Sequence, residues 1–572
     1  MKGDALTITG PPVSEVRGKE IILLVVFINL ILFPILYIFR FLDNNTLSSW
    51  QWVFDGTRLR TLYMMHVLSI VVSLVLTRVD IPVRSYGSIS FLTPFFIVLV
   101  LRGMPELYLD TSRYVIQAKA LMLEGSFYFM KEWGGAVPAW TDMPLVPFVY
   151  GLLFSVFGES REIIQIFNAG MFSITVYAAY RMGSDLFERE TGFYASLILM
   201  SVPYIFIQVP FMMVDVAAMC FLTLSYWLAV RVIKFGGVSN IVLCCASIIC
   251  AALSKYSTWP MLIGLAIIPL VFKKGDANGL WRKVVYVGLP VMLVMCAFLI
   301  LKYDVISAQI GTLRSYQLPA LGRWKESFIS MFLFQSHPYI IVLTVICAWF
   351  SLKNRDLTAL IPLWAFVFII VFRIERMRYL MPLFPLLSVA ASYGMSTVRY
   401  SYVKRYVAFG MLAFSMFILF AGYLPFVTGT SMVNIRDAGE YIDSLEHGPV
   451  SITVMPQPVS TGNTAAVLPI LDLYTDKELR YVGPEQPAQM PEGIESTPLR
   501  FTWELDMTEP YVGNSVQRGI VALITGEKLL EPDGSLSPFI GKRARLLRSF
   551  EKSSGVFRFN SFIYVYELKD MS

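Results

Sequence analysis

The sequence predicts a polytopic α-helical membrane protein with a hydrophilic α/β tail, and three observations predict it. Of 572 residues, 56% are hydrophobic and only 15% are charged, where a water-soluble fold carries about 25% charge. Apolar stretches of about a membrane thickness recur from residue 21 to beyond residue 410. From residue 429 onward the chain turns polar and alternates helix-like with strand-like segments. Disorder is excluded by the apolar content. A nucleic-acid partner is excluded as well, because the net charge of +6 is dispersed and forms no basic stripe.

The first apolar run, Ile21 to Phe39, follows Arg17 and Lys19. It is long enough to span and too long for a signal-peptide core, so it reads as a retained anchor with a cytoplasmic N-terminus. Further runs centre near residues 70, 95, 172, 200, 224, 247, 264, 292, 345, 365, 387 and 415, which makes about thirteen transmembrane helices. Basic loops recur on alternate sides: Arg78 with Arg84, Arg181 with Arg189, Arg231 with Lys234, Lys273-Lys274 with Arg282-Lys283, Lys353 with Arg355, and Arg399 with Lys404-Arg405. The positive-inside rule places them all in the cytoplasm. The apolar run Pro144 to Gly158 is too short to span, and counting it would invert every later loop. It is therefore expected in the outer interface, or dipping partly into the membrane.

This organisation predicts three parts: residues 1–87 with two extra helices, a membrane module over 88–428 with a large first outer loop at 102–161, and an extracytoplasmic α/β domain over 429–572. In the tail, Asp437 to Leu445 reads as a helix, while Val450 to Met455, Ile520 to Ile524 and Phe562 to Tyr566 read as strands. The tail holds no phosphate loop and no clustered metal ligands. All six cysteines (Cys220, Cys244, Cys245, Cys250, Cys296, Cys347) lie in apolar runs without C-x-x-C spacing, as small packing residues do. Asn44-Asn45-Thr46 is an N-x-T triplet in a predicted outer loop, a pattern common by chance.

Charged side chains in hydrocarbon are costly and mark function. Here they collect at the predicted outer ends of spans: Asp110, Asp142, Asp215, Lys255 and the cluster Arg373, Glu375, Arg376, Arg378. Each has a plain structural alternative. Asp110 or Asp215 could cap the helix that follows, Lys255 could snorkel to the headgroups, and the arginine cluster could anchor lipid. Tyr108, Tyr114, Trp133 and Trp140 read first as an interfacial aromatic belt. Taken together, the same residues suit a reaction on a lipid-linked phosphate. Arginines bind phosphate through charge-assisted hydrogen bonds, and a carboxylate near an acceptor hydroxyl can act as general base.

The order of motifs resembles the polytopic glycosyltransferases of the GT-C class, and within it the branch of protein O-mannosyltransferases and the lipid A aminoarabinose transferase. Asp110-Thr111-Ser112-Arg113-Tyr114 resembles the acidic motif of the first outer loop. Asp142-Met143-Pro144-Leu145, leading to Phe157-Gly158, resembles the K-P-P-L segment. Arg181 to Phe187, Val214-Asp215, Ser254-Lys255-Tyr256 and Arg378-Tyr379-Leu380-Met381-Pro382-Leu383-Phe384-Pro385 follow in the family's order, so the resemblance spans roughly residues 88 to 425. Two departures stand out. Thr111 follows Asp110 where many relatives have a second acid, and Asp142 replaces the basic residue of K-P-P-L.

The resemblance implies a GT-C-like fold and transfer of a sugar from a polyprenyl (dolichyl or undecaprenyl) phosphate to a protein, lipid or glycan acceptor at the outer face of a membrane, by default a prokaryotic cell membrane. It implies Asp110 as general base and Asp215 as a second acid in the catalytic site. Lys255, Arg373, Arg376 and Arg378 would bind the donor phosphate, and Arg113, Tyr114 and Asp142 the substrate. No spacing demands a cofactor. A convergence of Asp110, Asp142 and Asp215 would be the place for a divalent cation, Mg or Mn, on whose need branches of the class differ. The competing functions are a secondary transporter or lipid flippase, which would put its ionisable groups near the bilayer midplane, and a non-catalytic receptor or assembly subunit acting through its tail.

Overall fold

The computed structural model describes residues 13–39, 58–273, 277–318, 326, 330–446, 448–455, 462–483, 490–497, 499–512, 519–530, 544–554 and 559–568. The Asn44-Asn45-Thr46 triplet and Lys274 lie outside them. Among the described residues, seven helices are long and apolar enough to cross a membrane: Gly18–Ile35, Leu59–Leu76, Val83–Val100, Arg161–Leu186, Asp215–Phe235, Asn278–Leu301 and Ser401–Val427. Five shorter apolar helices join them: Leu145–Phe157, Val238–Ser254, Thr258–Val271, Pro338–Asn354 and Leu357–Phe372.

The remaining apolar runs, near 200 and 387, form the helices Arg189–Met200 and Phe384–Ser396. These two are short because they are interrupted. The first ends at Ser201 before Pro203, and the second follows a turn bearing Pro382. They are also deeply packed, with Thr191 to Met200 all buried. Close approach depends on small residues, the usual means of packing helices in a bilayer. A Cβ on Gly183 would lie 2.8 Å from the Cα of Gly192, and one on Gly394 would lie 3.0 Å from the backbone nitrogen of Cys347. By contrast, the hydrophobic window of Asn278–Leu301 contains no buried residue, so it lies on the outside of the bundle.

The first large loop folds into a helical layer. Asp110–Glu124 packs against Leu145–Phe157, whose buried positions Val146, Pro147, Tyr150, Gly151 and Phe154 form one helical stripe. Gly151 is required there, because a Cβ would meet Leu121 and the carbonyl of Ala118 at 2.7 and 2.8 Å. At thirteen residues this helix is about 20 Å long, too short to cross a hydrocarbon core of about 30 Å.

The tail forms a five-stranded mixed sheet of order β2-β1-β3-β5-β4, with β1 Val450–Val454, β2 Leu479–Tyr481, β3 Gly519–Thr525, β4 Ala544–Phe550 and β5 Phe562–Leu568. β1 pairs in parallel with β2 and β3, while β5 runs antiparallel to β3 and β4. The expected tail helix starts earlier, at Met432. Asn434, on its first turn, explains the start: its side-chain NH₂ donates 2.8 Å hydrogen bonds to the carbonyls of Lys552 and Ser561. The sheet region also touches the first loop, since Arg436 Nη1 donates to the carbonyl of Gly103 at 2.5 Å and the backbone N–H of Glu106 donates to the Tyr474 hydroxyl at 2.8 Å.

One expectation is overturned here. Tyr114 and Trp133 are no interfacial belt, being only 1% and 2% exposed. Their rings fill the space between the loop helices and their neighbours, where burial of a large aromatic surface stabilises the layer.

Candidate active site

Asp110 and Asp215 each open a helix, Asp110–Glu124 and Asp215–Phe235, and neither side chain caps it. Their carboxylates turn instead to a common cation. Arg378 Nη1 lies 2.5 Å from Asp110 Oδ2, and Arg378 Nε lies 2.8 Å from Asp215 Oδ2. Lys255 pairs with the other oxygen of Asp215, and its ammonium sits 5.0 Å from the ring centre of Tyr379. Lys255 is held there because the helix Val238–Ser254 stops one residue earlier and the backbone becomes extended. It therefore points into the protein and does not snorkel.

On the other side, Arg113 Nη2 reaches Asp110 Oδ1 at 3.5 Å and Asp142 Oδ1 at 3.3 Å. Asp142 also accepts from Gln117 Nε2 at 3.3 Å. The spacing of Asp110, Arg113 and Gln117 places the three on one helical face. The result is an alternating series, Asp142, Arg113, Asp110, Arg378, Asp215, Lys255, in which three carboxylates balance three cations. Asp215 is 1% exposed and Asp142 6%, whereas the side chain of Asp110 keeps 21% of its surface open. Of the three carboxylates, Asp110 is the most accessible to a ligand.

The surroundings separate the carboxylates electrostatically. Burial works to raise the Asp110 carboxyl, but Arg378 and Arg113 more than offset it, so its pKa falls below the ordinary value. Burial also dominates at Asp142, where Arg113 offsets it only in part and the carboxyl stays raised. Asp110 is therefore ionised at neutral pH and Asp142 binds its proton more tightly.

Three features of the site were not read from the sequence. Arg113 is stacked 4.4 Å from the ring centre of Phe501 and 5.3 Å from that of Trp140, so the tail supplies part of the wall. Trp140 in turn donates from Nε1 to Glu504 at 3.1 Å. Beneath the site, Glu106 accepts from Arg161 Nε at 2.8 Å, from Thr111 Oγ1 at 3.0 Å and from the Met212 backbone N–H at 3.1 Å. That carboxylate ties the residue next to Asp110 to the segment leading into Asp215. The only trace of it in the sequence is an acid four residues before Asp110.

The remaining expected residues divide. Tyr114 is buried beside Arg113, whose Nη2 approaches its hydroxyl at 3.5 Å. Arg376 lies next to the network, with Nη1 3.4 Å from the Tyr379 hydroxyl. Arg373 stands apart: it is exposed and ends the helix Leu360–Phe372 in a left-handed conformation, φ 47°. The three aspartates do converge, but through the two arginines. Among the described residues no group of three or more His, Cys, Asp or Glu is placed to hold a metal ion. Asp110 and Asp215 both turn an oxygen to Arg378, so this carboxylate set does not fit a shared divalent cation.

Comparison with known proteins agrees with this architecture. Residues 138–301 match the family model of dolichyl-phosphate-mannose-protein mannosyltransferase. The structure is similar to that of ArnT from Cupriavidus metallidurans in the apo state, with 14% identity, 84% of this chain and 98% of that chain covered, and a TM-score of 0.54. It is similar also to ArnT bound to undecaprenyl phosphate, with 15% identity, 84% and 97% coverage, and a TM-score of 0.50. Among curated proteins none matches the sequence. The chain is an integral membrane protein with the fold of the GT-C class of polytopic membrane glycosyltransferases.

Proposed function

We propose that this chain is a polyprenyl-phosphate-sugar-dependent glycosyltransferase that moves a hexosyl or pentosyl group from a dolichyl or undecaprenyl phosphate to a protein, lipid or glycan acceptor at the outer membrane face. The observation that carries this reading is the series of alternating charges at the head of the Asp110 helix, on a fold shared with a protein whose structure holds undecaprenyl phosphate. The N-terminus would be cytoplasmic and the sheet extracytoplasmic, in a prokaryotic cell membrane.

In this reading the isoprenoid tail stays among the helices while its phosphate meets Arg378, Lys255 and Arg376. Arg378 spends Nε and Nη1 on the two carboxylates, which leaves Nη2 to donate to a phosphate oxygen. Lys255 has further N–H groups, and Arg376 adds charge. Arg373, off the network, would meet only the headgroup region. The acceptor oxygen attacks the anomeric carbon as its bond to the phosphate oxygen breaks. Polyprenyl phosphate leaves with the electron pair, and Asp110 takes the acceptor's proton. Asp215 holds Arg378 and Lys255 in place. Arg113, Tyr114 and Asp142, walled by Trp140 and Phe501, line the side on which sugar or acceptor would lie.

The test is transfer of radiolabelled sugar from a panel of polyprenyl-phosphate sugars by purified protein in lipid. Wild type should form a labelled product, and Asp110→Asn, folded to the same extent, should lose at least 100-fold in rate, as removal of a general base does. No product with any donor, with membrane extract as acceptor source, would overturn the reading. Equal rates would return Asp110 to a purely structural role.

A further inference from the structure

A polar cleft of about 400 Å³ opens between the first-loop layer and the sheet. That volume lies in the range of small-molecule sites, about 300–1,000 Å³. Lys119, at its floor, is nine residues beyond Asp110 on the same helix, about 13 Å along the axis. Its ammonium lies 3.1 Å from Glu159 Oε2 and pairs also with Asp472 Oδ2. Asp472 accepts from the Tyr511 hydroxyl at 2.9 Å, and the Tyr511 ring centre is 4.8 Å from Lys119 Nζ.

Two carboxylates therefore share one ammonium, and among the described residues the floor is one cation short. The second oxygen of Glu159, Oε1, is buried and has no hydrogen-bond partner among the described residues. The other charged groups facing the cleft come from the loop after the helix Leu468–Asp472, which brings Asp476, Lys477 and Glu478, and from β2, which brings Arg480. Arg480 is closed off on Glu478 by two hydrogen bonds of 2.8 and 3.1 Å. At the rim, Asp476 and Lys477 balance one another in sign. The excess negative charge thus belongs to the Glu159–Asp472 pair.

We propose that this cleft binds the primary ammonium group of a small organic ligand, held between Glu159 Oε1 and Asp472. An anion is disfavoured because Lys119 is already countered twice. A neutral ligand would leave the charge uncompensated. A metal ion is disfavoured because, among the described residues, no third acid, histidine or cysteine joins Glu159 and Asp472 in a group placed to hold one. Leu479, Pro510 and Val512 add apolar walls suited to an organic body. With no ligand bound, a proton takes the same place: burial and Asp472 push the Glu159 carboxyl up to about 7 despite Lys119. Ligand and proton compete, so binding releases a proton and strengthens with pH.

The site is distinct from the Asp110 network, and its test does not depend on sugar transfer. The full chain in phosphatidylcholine nanodiscs is titrated with ethanolamine, and the unfolding midpoint is followed. A saturable rise is expected at pH 8, with affinity roughly 30-fold weaker at pH 5.5 from the fraction of Glu159 that is ionised. Acetate and glycerol should have no effect, and Glu159→Gln should abolish the response. Calorimetry of the wild type at pH 7 in buffers of different ionisation heat provides a readout that needs no variant, and should show about half a proton released. If the ammonium comes from a lipid headgroup, nanodiscs containing phosphatidylethanolamine should blunt the response to added ethanolamine. A soluble source predicts no such competition. No saturable rise at pH 8, an equal rise in Glu159→Gln, or no proton release would each overturn the proposal.

Discussion

Glu106→Ala is expected to destabilise the protein by about 3–5 kcal/mol, the range for removing one partner of a buried ion pair. Side-chain exposure is 0% for Glu106 and 5% for Arg161, so water cannot replace the lost carboxylate. The substitution strands the Nε of Arg161 and the N–H of Met212, and leaves the hydroxyl of Thr111 only its weak 3.7 Å contact with Met213 Sδ. Among the described residues Arg161 keeps its hydrogen bonds to the carbonyls of Arg102 and Pro210, at 3.2 and 3.4 Å, and its place 5.6 Å from the Tyr474 ring centre. The double variant Glu106→Leu with Arg161→Met removes both charges and should cost less than the two single variants summed, because no buried charge is left unpaired, while the Met212 N–H, the Thr111 hydroxyl and the carbonyls of Arg102 and Pro210 lose a partner as they do in the single variants. Equilibrium unfolding in mixed micelles, run as a double-mutant cycle, measures the difference. A cost below about 1 kcal/mol for Glu106→Ala, or a double variant as costly as the two single variants summed, would refute the argument that this pair is a buried charge hub.

Three further outcomes follow from the same geometry. Arg378→Lys should abolish most sugar transfer while Arg373→Ala retains it, because only a guanidinium can hold Asp110 and Asp215 through two separate nitrogens, and Arg373 touches neither. Parallel transfer assays on the two variants check this. Glu159→Gln should flatten part of the pH dependence of stability. The native carboxyl titrates at about 7 against 4.5 unfolded, so the folded state keeps a proton that the unfolded chain loses. Wild-type stability should accordingly fall by about 3 kcal/mol as pH rises from 4.5 to 7, and the variant should lack that fall. Unfolding curves across pH test it. Gly394→Ala should cost about 1–3 kcal/mol, since its Cβ would press on the backbone of Leu343 and Cys347 where two helices meet. A variant as stable as wild type in thermal unfolding would remove the close-packing argument.

Much of the architecture was legible without the structure because its determinants are local. Hydrophobic run length reports apolar helices directly: all thirteen predicted centres fall within helices, of which seven, among the described residues, are long and apolar enough to cross a membrane. Three tail strands were readable from their β-branched, apolar and aromatic residues, and all three, β1, β3 and β5, are interior strands of the sheet. The two strands that were missed are its edges. β2 has only three residues, and β4 carries the exposed Arg545, Arg548 and Ser549 among half-buried positions, so neither shows an apolar run. The shortness of Arg189–Met200 and Phe384–Ser396 was equally hidden, since apolar composition does not reveal where a helix is interrupted.

The candidate site divides along the same line. The cost of charge in an apolar chain singled out Asp110, Asp142, Asp215, Lys255 and Arg378 from sequence alone. That cost attaches to each residue separately, so it could not say that Arg378 stands between Asp110 and Asp215, that Arg373 stands apart, or that Phe501 closes the wall over Arg113. Asp110 and Arg378 are 268 positions apart, and Arg113 and Phe501 are farther still. Residue type and local run length determined which groups are expensive to bury. Only the packing of distant helices and the docking of the sheet decided which groups neutralise one another, because charge pairing acts through space and carries no local pattern along the chain.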